Sequence, residues 1–342
     1  MRENVTGILG GVFGLETPGA AAEPPFRARY VRFFLSVRCI LRALIETHKP
    51  KSAWLPSYLC REILTPFKQA QVAVRFYAVD SQLRVSGDHG WIGEIQAGDL
   101  VLVIHYFGFP HRSFPAREIA ERGALLIEDA SQALFCPQQF PESLGILYSP
   151  RKFLGVPDSG VLVSDAETGL ESMKLEPPPD AWWRASLKMS LNRREFDLTG
   201  QPDNWFAQFQ QVERDFPVGP FRASDLSRTL LLSMDYAAMR ARRRANYARL
   251  LELAERHAVF PVLGPDVVPL GFPIRVGKRD ELLSRLHAAK VYAPVHWRIE
   301  GTAPPVFRES HELSATSITL LCDQRCTLRD MERQAAEFSA NG

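Results

Sequence analysis

The chain has 342 residues, more than one compact hydrophobic core normally serves, so we expect two packed units. Its 41 lysines and arginines stand against 39 acidic residues, and the resulting formal charge of +2 argues against nucleic-acid or anionic-membrane partners. The apolar runs are too short to cross a bilayer, and five scattered cysteines without a second close pair or a nearby histidine argue against a metal site.

The first half of the chain is predicted to alternate between helices and strands. Apolar residues at helical spacing predict a helix from Arg32 to Glu46, with Ser36 placed to cap its start. Further on, strands are predicted at 53–55, 72–77, 100–105 and 124–127, and helices from 63 onward and at 116–122. This order predicts a mainly parallel sheet covered on both faces, whose ligands bind beyond the carboxyl ends of the strands.

The second half is less regular. A strand is predicted at 161–164, whereas the segment 167–215 has no clear period and is expected to cover the site or a subunit interface. A long helix is predicted at 223–254, and its arginine cluster is expected on a solvated face. That cluster consists of Arg240, Arg242, Arg243 and Arg244. A strand at 268–276, a helix at 278–289 and a strand at 317–321 complete a smaller α+β unit.

The predicted domain boundary lies near the long helix. We expect a large α/β domain at 1–230 and a small C-terminal α+β domain at 231–342. The first residues are polar and acidic before any cleavage-like site, so no signal peptide is expected. Together with the odd number of cysteines, this favours a cytoplasmic protein with reduced thiols.

Two motifs point to a cofactor. Lys152 lies in a loop from Ser149 to Gly160 whose prolines and glycines shape a turn, and Asp129 follows the apolar run 124–127 at the expected ligand edge of the sheet. Taken singly, a loop lysine or a turn-starting aspartate is common. A lysine that forms a Schiff base with pyridoxal phosphate (PLP) needs an acid on the pyridine nitrogen, so the ordered pair predicts PLP chemistry. Gln132, one helical turn on, is expected to donate to the phenolic oxygen of the cofactor.

These residues resemble the DegT/DnrJ/StrS family of PLP-dependent sugar aminotransferases, and the resemblance spans nearly the whole chain. The segment 128–133 looks like the family's acid-to-glutamine segment, and 149–160 looks like its lysine loop. The segment 35–41 is similar to the helix start that holds the PLP phosphate. The segments 55–58 and 104–108 match those lining the ring, and 292–297 resembles the one that brings a histidine to the substrate.

The resemblance implies a role for each matching residue. The catalytic residue is Lys152. The implied cofactor contacts are Asp129, Gln132, Ser36, Val37, Arg38, Tyr58 and Ser149, and the implied substrate contacts are His296, His105 and Arg222. A buried core position is the alternative for Tyr58, and a structural role is the alternative for each of the two histidines.

Several positions depart from the family pattern, mostly around the phosphate. Leu147 stands where a serine commonly precedes the lysine by five residues, and Ser149 is its nearest substitute. Val37 occupies the usual place of a glycine. Pro220 stands where the partner subunit often lends an asparagine, and Cys60 stands where many relatives have a stacking aromatic residue.

The resemblance implies the PLP-transferase fold-type I and a homodimer with its active sites at the subunit interface. It implies an enzyme that moves an amino group from an amino acid, glutamate by family likeness, to a keto group of a nucleotide-linked sugar, for polysaccharide or secondary-metabolite biosynthesis. One alternative is a PLP-dependent sugar dehydratase, which would carry a histidine in place of Lys152. Another is a degenerate relative that binds PLP or a nucleotide sugar without turnover.

Overall fold

The computed structural model of the chain describes residues 6–20, 22–85 and 89–339. Residues 1–5, on which the signal-peptide prediction depends, lie outside the described residues. The strands are β1 (Leu9–Gly10), β2 (Tyr30–Phe34), β3 (Ser52–Pro56), β4 (Ala73–Tyr77), β5 (Leu100–Ile104), β6 (Leu125–Ala130), β7 (Gly145–Tyr148), β8 (Gly160–Ser164), β9 (Phe272–Arg275), β10 (Val291–Tyr292) and β11 (Ser317–Leu320). The helices are α1 (Val37–His48), α2 (Leu64–Gln69), α3 (Ala116–Glu121), α4 (Asp180–Thr199), α5 (Trp205–Arg214), α6 (Asp225–Leu231), α7 (Tyr236–Ala254), α8 (Arg279–Ala288), α9 (Arg308–Thr316) and α10 (Leu328–Ser339). Within the described ranges, every helix is too short or too polar to cross a membrane.

Seven strands form one large sheet in the order β2-β8-β7-β6-β5-β3-β4. The strands from β7 to β4 run parallel to their neighbours, whereas β8 is antiparallel to both β7 and β2. All residues of β5, β7 and β8 are buried, as expected for strands covered on both faces. The predicted mainly parallel sheet is therefore confirmed, and β7, which the sequence pattern did not reveal, completes its centre.

The start of α1 differs from its prediction in one respect. Ser36 caps the helix as expected, because its hydroxyl oxygen accepts a hydrogen bond from the Cys39 N–H at 3.3 Å. The helix begins at Val37 and not at Arg32, since residues 30–34 instead form β2 against β8. The cap therefore lies directly after an edge strand, at the sheet end where parallel strands leave their carboxyl ends.

The sequence pattern left the segment 167–215 unassigned, and the structure shows that it contains the helices α4 and α5. Trp182, Met189 and Phe196 on α4 are buried at seven-residue spacing, but Ser186 and Arg193 lie in the same buried row and hide the apolar stripe. The two helices pack together, and the Trp182 indole N–H donates to the Val212 carbonyl on α5 at 3.0 Å.

The long helix predicted at 223–254 is in fact two helices, α6 and α7. The break at 232–235 ends at Asp235, whose carboxylate accepts from the Ala238 N–H and caps α7. The expectation of a solvated arginine face is wrong for Arg243, which is fully buried. Its guanidinium donates to the backbone carbonyls of Pro269 and Leu270, both at 3.1 Å. These two carbonyls precede β9, so the arginine takes the place of a strand partner for them.

The C-terminal part has its own hydrophobic cluster, with β9 and β11 paired antiparallel and α7, α8 and α10 packed around them. The N-terminal segment takes part in it, because β1 pairs in parallel with β10 and Leu9 lies within the cluster. The boundary at residue 230 stays a prediction, but the small unit also includes residues from the beginning of the chain.

We predict that Arg243→Met lowers the free energy of unfolding by about 3 kcal/mol, because it leaves buried carbonyls and the Gln324 amide oxygen without their donor. Urea unfolding followed by fluorescence measures the change. The matched control is Arg242→Met on the half-buried side of α7, which should stay within about 0.5 kcal/mol of the parent. Equal losses in the two variants would contradict the role given to Arg243.

Candidate active site

The candidate site lies where β5, β6 and β7 end. The register pairs Ile104 on β5 with Asp129 on β6, and Asp129 with Leu147 on β7. Lys152 follows in a single 3-10 turn, Pro150–Lys152, directly after β7. Because the three strands are parallel, their carboxyl ends meet at one edge, and the predicted acid and lysine both belong to that edge.

Asp129 is buried and has one carboxylate oxygen without a protein partner. Its Oδ1 accepts the Ser131 N–H at 2.7 Å, which fixes the side chain at the strand end. No group of the described residues hydrogen bonds to Oδ2. A buried carboxylate with a free oxygen at a ligand edge is able to accept a hydrogen bond from a ligand N–H.

Gln132 carries the clearest sign of a missing partner. Its Oε1 accepts the backbone N–H of Phe107 at 3.1 Å, whereas its Nε2 is buried and has no hydrogen-bond partner among the described residues. A buried donor left without an acceptor costs about 1–3 kcal/mol. Phe107 itself adopts φ 55°, a left-handed conformation that is unfavourable for a bulky residue. Both features are typical of a site shaped for a ligand.

Lys152 and His296 interact electrostatically. Burial and, to a smaller extent, the positive charge of Lys152 together lower the pKa of His296 to about 3, so the ring is neutral at pH 7. The His296 Nδ1 lies 2.9 Å from the Thr319 hydroxyl oxygen, and its ring is edge-on to Phe107 at 5.5 Å between centroids. His296 therefore lies near Lys152 and also contacts Phe107, the residue whose N–H the Gln132 side chain accepts.

Tyr58 holds the C-terminal segment against the site. Its hydroxyl donates to the backbone carbonyl of His296, and its ring lies 5.5 Å from that of Trp297 and 6.1 Å from that of Tyr106. Burial raises the pKa of Tyr58 and that of Tyr106 well above their usual value, so both remain protonated donors. The hydroxyl of Tyr58 thus fixes the segment that carries His296.

His105 is fully enclosed by protein partners. Its Nε2 lies 2.8 Å from the buried Glu128 carboxylate, and its Nδ1 accepts the His111 backbone N–H at 2.9 Å. The acceptor role of Nδ1 puts the proton on Nε2, which donates to Glu128. Both ring nitrogens are engaged within the protein, and this favours the structural alternative for His105.

The residues expected around the phosphate lie at the first turn of α1. The Ser36 hydroxyl serves as the helix cap, and the backbone N–H groups of Val37 and Arg38 belong to the helix end that has no intrahelical acceptors. Gly160 of the lysine loop touches this turn, because a Cβ atom there would lie 2.3 Å from the Ser36 carbonyl carbon. The Ser149 hydroxyl has no hydrogen-bond partner among the described residues.

The sequence did not reveal an ion cluster beside Lys152. Arg151 makes two hydrogen bonds with the Glu213 carboxylate, at 2.7 and 3.2 Å, and Arg38 approaches the same carboxylate at 3.7 Å. Burial raises the pKa of Glu213, but the charges of Arg151, Arg38 and Lys152 outweigh that effect and hold the pKa below its usual value. The signal that could have revealed Glu213 is the helical spacing of residues 205–214, but the mixed polar sequence of this segment obscures it.

Arg222 has a different neighbour from the one expected. Its guanidinium pairs with Asp225 at 2.8 Å, and its backbone pairs with Phe34 at the edge of the large sheet. Within the described part of the chain, no hydrogen bond joins it to Lys152 or Asp129. Its role toward a substrate stays a prediction.

No protein-family model and no curated protein matches the chain. Solved structures do match it. A DegT DnrJ EryC1 StrS aminotransferase from Brucella abortus has a TM-score of 0.64 at 14% identity, covering 92% of this chain and 86% of that one. PseC from Helicobacter pylori, an aminotransferase of pseudoaminic acid biosynthesis, has a TM-score of 0.66 at 14% identity, covering 92% and 87%. DesI, solved in the presence of its TDP-sugar product, has a TM-score of 0.64 at 16% identity, covering 92% and 80%.

The chain has the fold of the sugar aminotransferases. This likeness confirms the predicted fold-type I architecture, with a large and mainly parallel sheet. It also agrees with the family resemblance noted from the sequence, because each of these matches covers nearly the whole of this chain. At identities this low the comparison establishes the fold, so the chemistry depends on the residues of the site.

We predict that Gly160→Ala lowers the free energy of unfolding by about 1–3 kcal/mol, because the added methyl group meets the backbone of Ser36 and Val37. The change is measured by urea unfolding. The matched control is Gly93→Ala, where a Cβ atom meets nothing within 4 Å and the stability should stay nearly constant. If both substitutions are neutral, the close approach of the lysine loop to α1 is not required.

Proposed function

We propose that the chain is a PLP-dependent aminotransferase that moves an amino group from an amino acid, glutamate in the simplest case, to a keto group of a nucleotide-linked sugar. The observation that carries the proposal is the buried and unpartnered Nε2 of Gln132, which follows the same strand as Asp129 and lies beyond the edge of the sheet to which Lys152 also belongs. One donor, one acid and one amine are the three groups that such a cofactor needs.

These residues fit PLP by the chemistry of their free atoms. The Asp129 carboxylate would hold the pyridine N–H, and the Gln132 Nε2 would donate to the phenolic oxygen. The phosphate would lie toward the first turn of α1, where Val37 and Arg38 present N–H groups. When bound, PLP supplies an aldehyde for an amine and a ring that takes up electrons from the α-carbon of the substrate.

Lys152 would have two roles in the reaction. Its Nζ atom would hold the cofactor through the aldehyde carbon, with the aldehyde oxygen leaving as water, and no described residue occupies this amine with a hydrogen bond. The same amine, when free, would be the base that carries a proton between carbon atoms. The neutral ring of His296 adds no second positive charge near this amine.

Asp129 would keep a proton on the ring nitrogen by its negative charge. An acid in this buried place stabilises the positive ring more strongly than it would in water, because the local dielectric is low. The Ser131 N–H holds the carboxylate in one orientation, so no reorganisation is needed when the charge moves. Tyr58 and Trp297 would exclude water from the same edge.

The nature of the acceptor is supported by the structural comparison. DesI was solved in the presence of its TDP-sugar product, and PseC takes part in the biosynthesis of pseudoaminic acid. We extend this to the chain: its acceptor would be a keto sugar linked to a nucleotide, and the chain would act in the cytoplasm. We also propose a homodimer, because symmetric dimers are the commonest way to complete a site with a second subunit.

The departures at the phosphate end favour one second candidate, a protein that binds PLP or a nucleotide sugar without turnover. Val37, Leu147 and Pro220 remove three contacts that the resemblance implies. A sugar dehydratase is disfavoured, because the chain keeps a lysine at 152. The binding protein and the aminotransferase differ in whether an amino donor changes the bound cofactor.

We predict that the purified protein with PLP gives a yellow visible absorbance band, that glutamate removes it, and that Lys152→Ala abolishes both. Borohydride treatment followed by peptide mass analysis should place the cofactor mass on the Lys152 peptide. Lys188→Ala, on the exposed face of α4, is the matched control and should behave like the parent. A band that persists with every amino donor would favour the binding protein, and normal turnover by Lys152→Ala would refute the assignment.

We predict that Asp129→Asn still takes up PLP but converts it with glutamate about 100-fold more slowly or worse, because the neutral amide no longer stabilises the charged ring. Single-turnover absorbance changes measure the rate. The exposed Asp203→Asn is the control and should retain the parent rate. An unchanged rate for Asp129→Asn would mean that another group holds the ring nitrogen.

A further inference from the structure

Two arginines beside Lys152 share a single, partly buried carboxylate. Arg151 makes a two-point contact with Glu213, and Arg38 lies 3.7 Å from the same group. Burial lowers the pKa of Arg38, and the nearby charge of Arg151 lowers it further, so the two cations are close enough to repel each other. Like charges are brought together in a mostly buried place only where an anion compensates them.

One partly buried carboxylate contacts both arginines. Glu213 supplies a single negative charge between Arg38 and Arg151, and the buried Asp158 also attracts Arg151. Glu62 also contacts Arg38, but its side chain is 51% exposed, so water and salt screen its contribution. A doubly charged anion would compensate the arginine pair better than one carboxylate does.

The surroundings of the cluster are also built for an anion. Val37 and Arg38 present the first N–H groups of α1, at its positive end. Independently of the helix, the Ser159 hydroxyl is completely buried and has no hydrogen-bond partner among the described residues. Ser159 lies next to this turn, because its N–H donates to the Leu35 carbonyl at 3.0 Å. A buried hydroxyl without a partner indicates a missing ligand atom.

Glu213 belongs to a segment that covers the first turn of α1. We call residues 213–217 the covering segment. Its Phe216 ring lies 4.0 Å from the Arg38 guanidinium carbon and 4.9 Å from that of Arg151, so both cations pack on one ring. Its Pro217 carbonyl lies 3.7 Å from the Cys39 sulfur. The carboxylate is therefore tethered at the end of α5, directly over the anion-binding groups.

We propose that Arg38 and Arg151 form a seat for a phosphate dianion, and that Glu213 is a tethered anion that fills this seat until phosphate displaces it. The proposal rests on the proposed function, in which the phosphate belongs to PLP. It assigns this chain its own phosphate contacts in place of those lost at Val37, Leu147 and Pro220. A phosphate and the Glu213 carboxylate would repel each other, so binding moves the covering segment away.

The experiment compares three probes on the full-length protein. Inorganic phosphate, measured by calorimetry, reports the seat alone. PLP and pyridoxal, which lacks the phosphate, are each titrated against Lys152 by visible absorbance, and the ratio of their dissociation constants reports what the phosphate contributes. This ratio is a binding readout that does not depend on turnover.

Glu213→Gln removes the tethered charge and should tighten inorganic phosphate and PLP by about tenfold while leaving pyridoxal unchanged. Glu62→Gln is the matched control, because it also contacts Arg38 but is half exposed, and it should change each constant less than about twofold. The double variant Arg151→Met with Glu213→Met removes the ion pair as a unit while Arg38 keeps its contact with Glu62, and it should weaken phosphate by about tenfold or more.

Each outcome decides one of the two proposals. Equal phosphate affinity in the parent, Glu213→Gln and the double variant would overturn the seat. If PLP and pyridoxal react with Lys152 but the substitutions leave their ratio unchanged, the seat is wrong and the aminotransferase proposal stands. If neither aldehyde reacts with Lys152 while inorganic phosphate follows the expected order, the seat stands and the aminotransferase proposal fails.

Discussion

The parallel register of β5, β6 and β7 is the constraint on which the site depends. It sets Ile104, Asp129 and Leu147 side by side, so that the acid on β6 and the loop after β7 reach the same edge. A slip of one residue would turn Asp129 to the opposite face of the sheet. Such a slip is costly, because β5 and β7 are completely buried and every residue would exchange its packing partners.

The C-terminal part completes this edge through few but well-buried contacts. Tyr58 donates to the His296 carbonyl and packs against Trp297, which joins the strand-end segment after β3 to the segment that carries the histidine. Phe107 contributes from the β5 side, with a left-handed backbone held by Gln132. The strained Phe107 and the unpartnered amide of Gln132 thus belong to one feature, because the Gln132 Oε1 accepts the Phe107 N–H while its buried Nε2 has no partner among the described residues.

The sheet was predictable because its strands are short apolar runs, and Ser36 and Asp129 were recognised from capping and strand-end chemistry. The covering helices were not, because their buried rows include Arg193 and Ser186, which a pattern of apolar residues cannot reveal. Arg243 was misassigned for the same reason, since burial of its guanidinium depends on carbonyls far away in the sequence. The partners of a charged side chain are tertiary facts, whereas the periods of strands and helix caps are local ones.

The departures from the family pattern acquire a different meaning once the ion cluster is known. Judged by residue type alone, Val37 and Leu147 describe a weakened phosphate site, because a glycine and a serine are missing. The structure places Arg151 beside Arg38, which lies in the first turn of α1, and charge-assisted hydrogen bonds from a guanidinium are about twice as strong as those from a neutral hydroxyl. Affinity for an anion depends on the total field at the seat, so the loss of neutral donors does not imply loss of binding. Without a bound anion, the two arginines need a counter-ion, and Glu213 supplies one.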